Sequence, residues 1–220
     1  MPKPKVYSTP EEVPSRLSEL GLRQEILCEA VLSGQAAWAS CTPNHPAPYA
    51  GITAWAETVR SLRELLRPEG WTRLDSGNLP LTVDAARRVS IVVSTGDENT
   101  GNPDVSPCTR SSKGPRTVKA VIVNALQMTL FDLRLRPEDL DESNGKMTFL
   151  LLFHRAVDAN EIRCELSRPI QMNEEGQVSG WAERIILPPS PFGGGTGAAK
   201  VPTDVPQTPN VVVKVKRRSA

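Results

Sequence analysis

The residues best suited to chemistry lie in a loop with glycine at both ends, which follows the apolar segment Val89–Thr95. Asp97, Glu98 and Asp104 carry carboxylates in and just after this loop, and carboxylate oxygens are ligands for divalent cations. Arg110 or Lys113 would then hold a phosphate group. The pattern predicts a metal-dependent phosphoester-cleaving or nucleotide-processing enzyme. The order of these residues along the chain matches no nuclease motif. The alternative is a solvated turn, which has the same composition.

Basic residues follow this loop at regular spacing. Four cations recur every third residue with no acid between the first and the last: Arg110, Lys113, Arg116 and Lys119. A second cluster ends the chain: Lys214, Lys216, Arg217 and Arg218. Such clusters can follow a phosphate backbone, so both predict contact with nucleic acid. The alternatives are a solvated charged loop and a solubilising tail.

Several other chemistries find no support in the residues. No Gly-Lys-Ser/Thr follows a glycine-rich turn at the spacing of a P-loop, and no nucleophile elbow is present. The cysteines at 28, 41, 108 and 164 form no Cys-x-x-Cys pair, which argues against zinc. We therefore expect no cofactor apart from a divalent cation in the loop that carries Asp97, Glu98 and Asp104, which we call the acidic loop. Without a signal peptide or an apolar span, the chain is predicted to be cytoplasmic, with reduced thiols.

One short peptide points to a partner. Gln127-Met128-Thr129-Leu130-Phe131 resembles the peptide that docks on the bacterial sliding clamp. The resemblance implies that Gln127 satisfies polar groups at the mouth of a pocket, while Leu130 and Phe131 fill its apolar floor. It covers 5 of the 220 residues. The peptide also follows an apolar helix, so the alternative is that Leu130 and Phe131 belong to the core.

Hydrophobic spacing predicts the elements that position these residues. Helices are expected near 22–31, from Ile52 to Arg67, and over 117–127. Strands are expected at Val89–Thr95 and in an antiparallel meander at 147–155, 161–172 and 177–187, whose turns are rich in Asn, Asp and Gly. Trp55 and Trp71 are expected to pack together beside the second helix.

This order of elements predicts an α+β fold. N-terminal helices and one middle helix would cover one face of a mostly antiparallel sheet. We expect an extended segment at 1–14, a single domain at 15–189, and a flexible Gly/Pro-rich tail with a basic end at 190–220. A doubly wound fold is the alternative, although it would need more regular alternation of strands and helices.

Composition leaves three functional hypotheses. With 26 Lys and Arg against 25 Asp and Glu, the formal charge is +1, so a nucleic-acid footprint must be local. The first hypothesis is a non-enzymatic accessory protein of DNA metabolism or of a mobile element, recruited by the sliding clamp. The alternatives are the metal-dependent enzyme and a protein-interaction or inhibitor module that uses the meander. No membrane partner is expected.

Overall fold

The computed structural model describes residues 3–76, 79–86, 88–132 and 147–192, with only the backbone at 76 and 129–132. Within these ranges the strands are β1 (Lys5–Tyr7), β2 (Thr72–Ser76), β3 (Leu79–Asp84), β4 (Val89–Thr95), β5 (Met147–Ala156), β6 (Glu161–Met172), β7 (Val178–Ile186) and β8 (Ser190–Pro191). The helices are α1 (Glu12–Glu19), α2 (Gln24–Ala39), α3 (Tyr49–Leu66) and α4 (Pro115–Asp132). The predicted α+β class is confirmed.

The strands form one mixed sheet in the order β1-β7-β6-β5-β4-β3-β2, and β8 pairs with the start of β6. Most neighbours are antiparallel, but β4 pairs with β5 and β1 with β7 in parallel. The parallel β4–β5 pair is joined by α4, since a parallel connection needs a crossover. This crossover brings the start of α4 to the end of the sheet where β4 stops, beside the acidic loop.

Helices cover both faces of the sheet, which corrects the expectation of one covered face. On one face, α1, α2 and α3 bury a core with alternate residues of the central strands, such as Ile91, Phe149 and Leu151. On the other face, α4 contributes Val121 to a smaller cluster with Val92 and Leu150. Asn124 of α4 ties that helix down, donating to the carbonyls of Thr148 at 2.8 Å and Pro169 at 2.9 Å.

Helices α2 and α3 approach each other closely at a glycine. A Cβ atom added to Gly34 would lie 2.5 Å from the carbonyl oxygen of Ala54 and 2.0 Å from Oγ1 of Thr58. Only glycine fits this crossing, so Gly34 sets the distance between the two helices rather than interrupting α2. Trp71, just after α3, is buried in the same core, and Trp55 packs against that core half-buried.

Several predicted boundaries agree with the structure and others do not. Strands β4 and β6 have the predicted limits, whereas α4 continues from the predicted 127 to Asp132. The N-terminal segment expected to be extended contains β1 and the first residues of α1. The tail beyond 192 lies outside the described residues. No described helix has both the length and the apolar composition needed to cross a membrane.

Candidate anion-binding cleft

A cleft of about 720 Å³ opens where β4 ends, between the start of α3 and the start of α4. We call it the aromatic-basic cleft. Its lining includes two tryptophans, two cations and the last residues of β4, which do not pair with β3: Trp38, Trp55, Arg110, Lys113 and 92–95. Leu79 and Pro80 of β3 form the opposite wall. A concave site with apolar walls and a few convergent polar groups is the usual form of a binding pocket.

The cleft exists because β3 separates from β4. The two strands pair from Thr82 opposite Ile91 to Asp84 opposite Val89, and continuing this register would place Pro80 opposite Val93. Proline has no backbone N–H to donate, so the ladder stops there. The carbonyl of Val93 instead accepts a hydrogen bond from Nε1 of Trp55 at 3.1 Å. The indole therefore replaces the missing strand contact and forms part of the cleft wall.

Backbone hydrogen bonds place the two cations at this cleft. Arg110 donates its N–H to the carbonyl of Thr95 at 3.0 Å, and Lys113 donates its N–H to that of Gly176 at 2.8 Å. Nζ of Lys113 also donates to Oγ of Ser111 at 3.3 Å. Neither side chain forms an ion pair with any described residue. Both charges are therefore available to an anionic ligand.

Burial distinguishes Lys113 from an ordinary surface lysine. Desolvation lowers the pKa of its ammonium group, because a charge loses hydration when it is partly covered. No carboxylate among the described residues opposes this lowering of the pKa. An anion bound in the cleft would supply the missing counter-charge, and the cost of desolvating Lys113 would then be offset by the ligand.

Aromatic residues lie in the lining of the cleft and next to its lining residues in the chain. The rings of His45 and Tyr49 stack with centroids 4.5 Å apart and planes inclined by 10°, and Tyr49 is 42% exposed. Residues 47, 48 and 50–52, around Tyr49, line the cleft. Trp38 is covered on one side by the guanidinium of Arg155, 3.3 Å from the ring centroid. Aromatic side chains beside cations are the elements with which proteins hold bases of a single strand.

The acidic loop is held by its own carboxylate. Oδ1 of Asp97 accepts from the N–H of Asn99 at 3.1 Å, and Oδ2 accepts from the N–H of Cys108 at 2.9 Å. Gly101 has φ +78°, and a Cβ on Gly96 would lie 2.1 Å from Oγ1 of Thr100. Both glycines are thus required by the loop geometry. The composition that predicted a metal loop has a structural explanation.

A buried ion pair fastens the same loop to the sheet. Glu165 and Arg184 are 0% and 1% exposed, with Oε2 and Nη2 at 2.6 Å. Oε2 of Glu165 also accepts from the N–H of Gly101 at 2.9 Å. Arg184 donates to the carbonyls of Asn102 at 2.9 Å and Val105 at 3.0 Å. The pair therefore fixes the loop whose end carries Arg110 and Lys113.

The predicted metal ligands do not come together as a metal site. In the part of the chain that the structure describes, no group of three or more His, Cys, Asp or Glu side chains is placed to hold a metal ion. The oxygens of Asp97 are used by backbone donors, whereas Glu98 and Asp104 are exposed. The acidic loop instead supports the segment that carries Arg110 and Lys113.

Replacing Asp97 with asparagine tests this structural role. We expect the free energy of unfolding to fall by about 1 kcal/mol, since one oxygen acceptor for the N–H groups of Asn99 and Cys108 is lost. Urea unfolding measures the change. Calorimetry with magnesium or manganese should show no heat of binding with either protein. A binding heat in the wild type that disappears in Asp97→Asn would instead support a metal site.

The other predicted cations are placed differently. Arg116 and Lys119 lie on α4 and are exposed, but neither lines the aromatic-basic cleft. Arg116 makes a contact of its own within the protein. The basic residues at 214–218 lie outside the described residues. Of the predicted nucleic-acid contacts, the structure brings Arg110 and Lys113 together in one cleft.

The clamp-like peptide occupies the last turns of α4. Gln127 is 5% exposed, and its Oε1 accepts from Nη2 of Arg168 at 2.9 Å. The side chains of Leu130 and Phe131 lie outside the described part of the structure. Docking on a sliding clamp therefore stays a prediction, and it carries an added requirement: Gln127 must leave Arg168 and the end of α4 must change conformation.

A double substitution, Leu130→Ala with Phe131→Ala, tests the clamp prediction. If the peptide docks, the variant should lose binding to purified clamp while its thermal unfolding temperature stays within a few degrees. The matched control is Ile122→Ala with Leu126→Ala, which removes two apolar side chains that are 53% and 52% exposed on the same helix. Wild-type protein that fails to bind the clamp would rule out the prediction.

Sequence reasoning missed the aromatic side of the cleft. Trp38 and Trp55 come from α2 and α3, far along the chain from Arg110. His45, in the proline-rich connection between these helices, and Tyr49, the first residue of α3, form a stacked pair. The one signal in the sequence was this tyrosine, just before the helix predicted from Ile52. Comparison of the chain with protein-family models, curated proteins and solved structures finds no match.

Proposed function

We propose that the protein is a non-enzymatic, nucleic-acid-binding accessory protein that holds a single strand in the aromatic-basic cleft. The observation that carries the proposal is the position of Arg110 and Lys113: both cations face one cleft with Trp38 and Trp55, and neither has a carboxylate partner among the described residues. Phosphate contacts would give affinity, and aromatic contacts would hold bases.

A single strand fits the cleft better than a duplex. Arg110 and Lys113 line a concavity together with Trp38 and Trp55. The bases of a duplex are already paired and stacked on one another, whereas a single strand can place its phosphate on Lys113 and turn a base towards a tryptophan. Base stacking on aromatic side chains tolerates every sequence, so we expect little sequence preference.

The other proposals are compatible with this one to different degrees. Recruitment by a bacterial sliding clamp would be an additional contact, made by the end of α4 in another conformation. Service in DNA metabolism or in a mobile element, and a cytoplasmic location, are likewise proposals. The cysteines at 28, 41, 108 and 164 are free thiols in the structure. The enzymatic alternative is weaker because the oxygens of Asp97 are used within the loop.

Titration of a labelled oligothymidylate tests the proposal. Fluorescence anisotropy should rise on addition of the protein at low salt, and the affinity should fall as salt is added, because counterions are released on binding. A matched duplex should bind more weakly. The proposal fails if the anisotropy does not change at low ionic strength, or if the affinity is independent of salt.

Lys113→Met separates the binding role from a structural one. In the folded state the lysine pKa is lowered, so the unfolded chain binds more protons between that lowered value and the ordinary one. Burial of the charged ammonium thus opposes folding at pH values below this window, and the opposition disappears above it. We expect Lys113→Met to unfold at an equal or higher temperature while it binds the oligonucleotide less tightly. Loss of stability would show that Lys113 is structural.

A further inference from the structure

A second cleft lies on the same side of α3, nearer its C-terminal end. It has a volume of about 660 Å³, and we call it the arginine cleft. Its lining comes from α3, the turn after it and the start of β2: Ala56, Val59, Arg60, Arg63, Glu64, Arg67, Trp71, Thr72 and Arg73. Four arginines and one glutamate thus surround a single concavity.

The arginines are only partly neutralised by the protein. Arg60 pairs with Glu57 and Glu64, and Arg63 pairs with Asp75. Arg67 and Arg73 form no ion pair with the described residues. Holding like charges around one concavity is unfavourable unless an anion joins them, and the planar guanidinium fork matches the oxygens of phosphate.

Two residues that line the cleft, Arg63 and Trp71, carry donors without acceptors. Trp71 is 2% exposed, and its Nε1 has no hydrogen-bond partner in the described structure. Nε of Arg63 is also buried without a partner. Buried donors are nearly always paired in proteins, so each exception needs an explanation. An oxyanion in the cleft would supply oxygen acceptors to nitrogens that turn towards it.

We propose that the arginine cleft is a binding site for a phosphate group. Arg67 and Arg73 line the cleft without ion pairs to described residues, and Nε1 of Trp71, which also lines it, is buried without an acceptor. The phosphate could belong to a small phosphorylated molecule or to a polynucleotide backbone, and the same chemistry would recognise both. This inference does not depend on the aromatic-basic cleft, which is lined by different residues.

The test titrates the full chain with inorganic pyrophosphate and, separately, with oligothymidylate, following tryptophan fluorescence and calorimetry. Arg67→Ala with Arg73→Ala should weaken binding of at least one probe by about tenfold, since two surface cations are removed. Trp71→Phe keeps an aromatic side chain, although a smaller one, but removes the donor, and should weaken binding of the same probe several-fold. The control is Lys3→Ala with Lys5→Ala at the opposite edge of the sheet, with an equal loss of charge.

The two probes distinguish a phosphate group of a small molecule from one of a polynucleotide backbone. Pyrophosphate binding that depends on Arg67 and Arg73 supports a site for a small phosphorylated ligand, even if no oligonucleotide binds and the proposed function fails. Oligonucleotide binding with this dependence supports a backbone phosphate. The inference is overturned if neither probe responds to the arginine substitutions, or if the lysine control weakens binding equally, which would indicate only a general effect of net charge.

Discussion

Glu165→Ala is expected to lower the free energy of unfolding by about 3–5 kcal/mol, because it leaves a buried arginine without its counter-charge. Glu165 and Arg184 are 0% and 1% exposed. Glu165 accepts hydrogen bonds from Ser167, Gly101 and both Nε and Nη2 of Arg184. Urea denaturation measures the loss. Few other single substitutions in this chain should cost as much.

A double-mutant cycle gives the control for this prediction. Replacing both Glu165 and Arg184 with methionine should cost less than the sum of the two single replacements, since no unpaired charge remains. An exposed pair supplies the comparison: Arg60→Ala with Glu64→Ala should change stability by less than about 1 kcal/mol. If the two losses at Glu165 and Arg184 simply add, the pair is not the unit that fastens the loop.

The same substitution should also affect the cleft. Gly101, Asn102 and Val105 are bonded directly to the buried pair, and the loop continues to Arg110. We therefore expect Glu165→Ala to be cut by proteases between 97 and 109 under conditions in which the wild type resists. A loosened loop would no longer hold Arg110 beside the end of β4.

Local patterns explain which elements the sequence predicts. The β-branched run of β4 and the alternation of β6 identify those strands because side-chain spacing alone is sufficient. β2 and β3 were missed: Arg73 and Asp75 give β2 a polar, exposed composition, and Pro80 argues against a strand at β3. β2 is the edge strand, and Pro80 lies beyond the part of β3 that pairs with β4, so neither feature is prohibitive.

The site depends on contacts that no local pattern records. Arg110 was predicted as a phosphate contact from basic spacing, but Trp38 reaches the same cleft from a helix more than seventy residues earlier. Glu165 and Arg184 meet because β6 and β7 are adjacent. Neither strand has a local sequence pattern that predicts a buried ion pair. Because β4 and β5 pair in parallel, the connection through α4 brings the start of this helix, and the loop before it, to the end of β4. Local sequence patterns do not predict this parallel pairing.

Arg110→Ala with Lys113→Ala is expected to weaken binding of a single-stranded oligonucleotide by about tenfold, corresponding to about 0.7 kcal/mol for each exposed phosphate contact. Arg110 is exposed and neither side chain forms an ion pair with described residues, so the fold should be preserved. Anisotropy titration and thermal unfolding give both quantities. An unfolding temperature lowered in parallel with affinity would indicate a structural effect.

The matched control removes the same charge elsewhere. This control is Lys3→Ala with Lys5→Ala. Lys5 is the first residue of β1 and Lys3 comes just before it, at the edge of the sheet opposite β2. If the cleft is the binding site, this variant should bind nearly as tightly as the wild type at moderate salt, where distant charges are screened. Equal losses from the two pairs of substitutions would mean that binding follows net charge rather than the cleft.

The salt dependence of oligonucleotide binding is the most direct test of whether Arg110 and Lys113 hold a single strand in the aromatic-basic cleft. The logarithm of the binding constant, plotted against the logarithm of salt concentration, should have a negative slope for the wild type, and Arg110→Ala with Lys113→Ala should reduce its magnitude by about 1.4, the value for two phosphate contacts on a single strand. The lysine control should keep the wild-type slope. Equal slopes in the wild type and the cleft variant would contradict a strand held by Arg110 and Lys113.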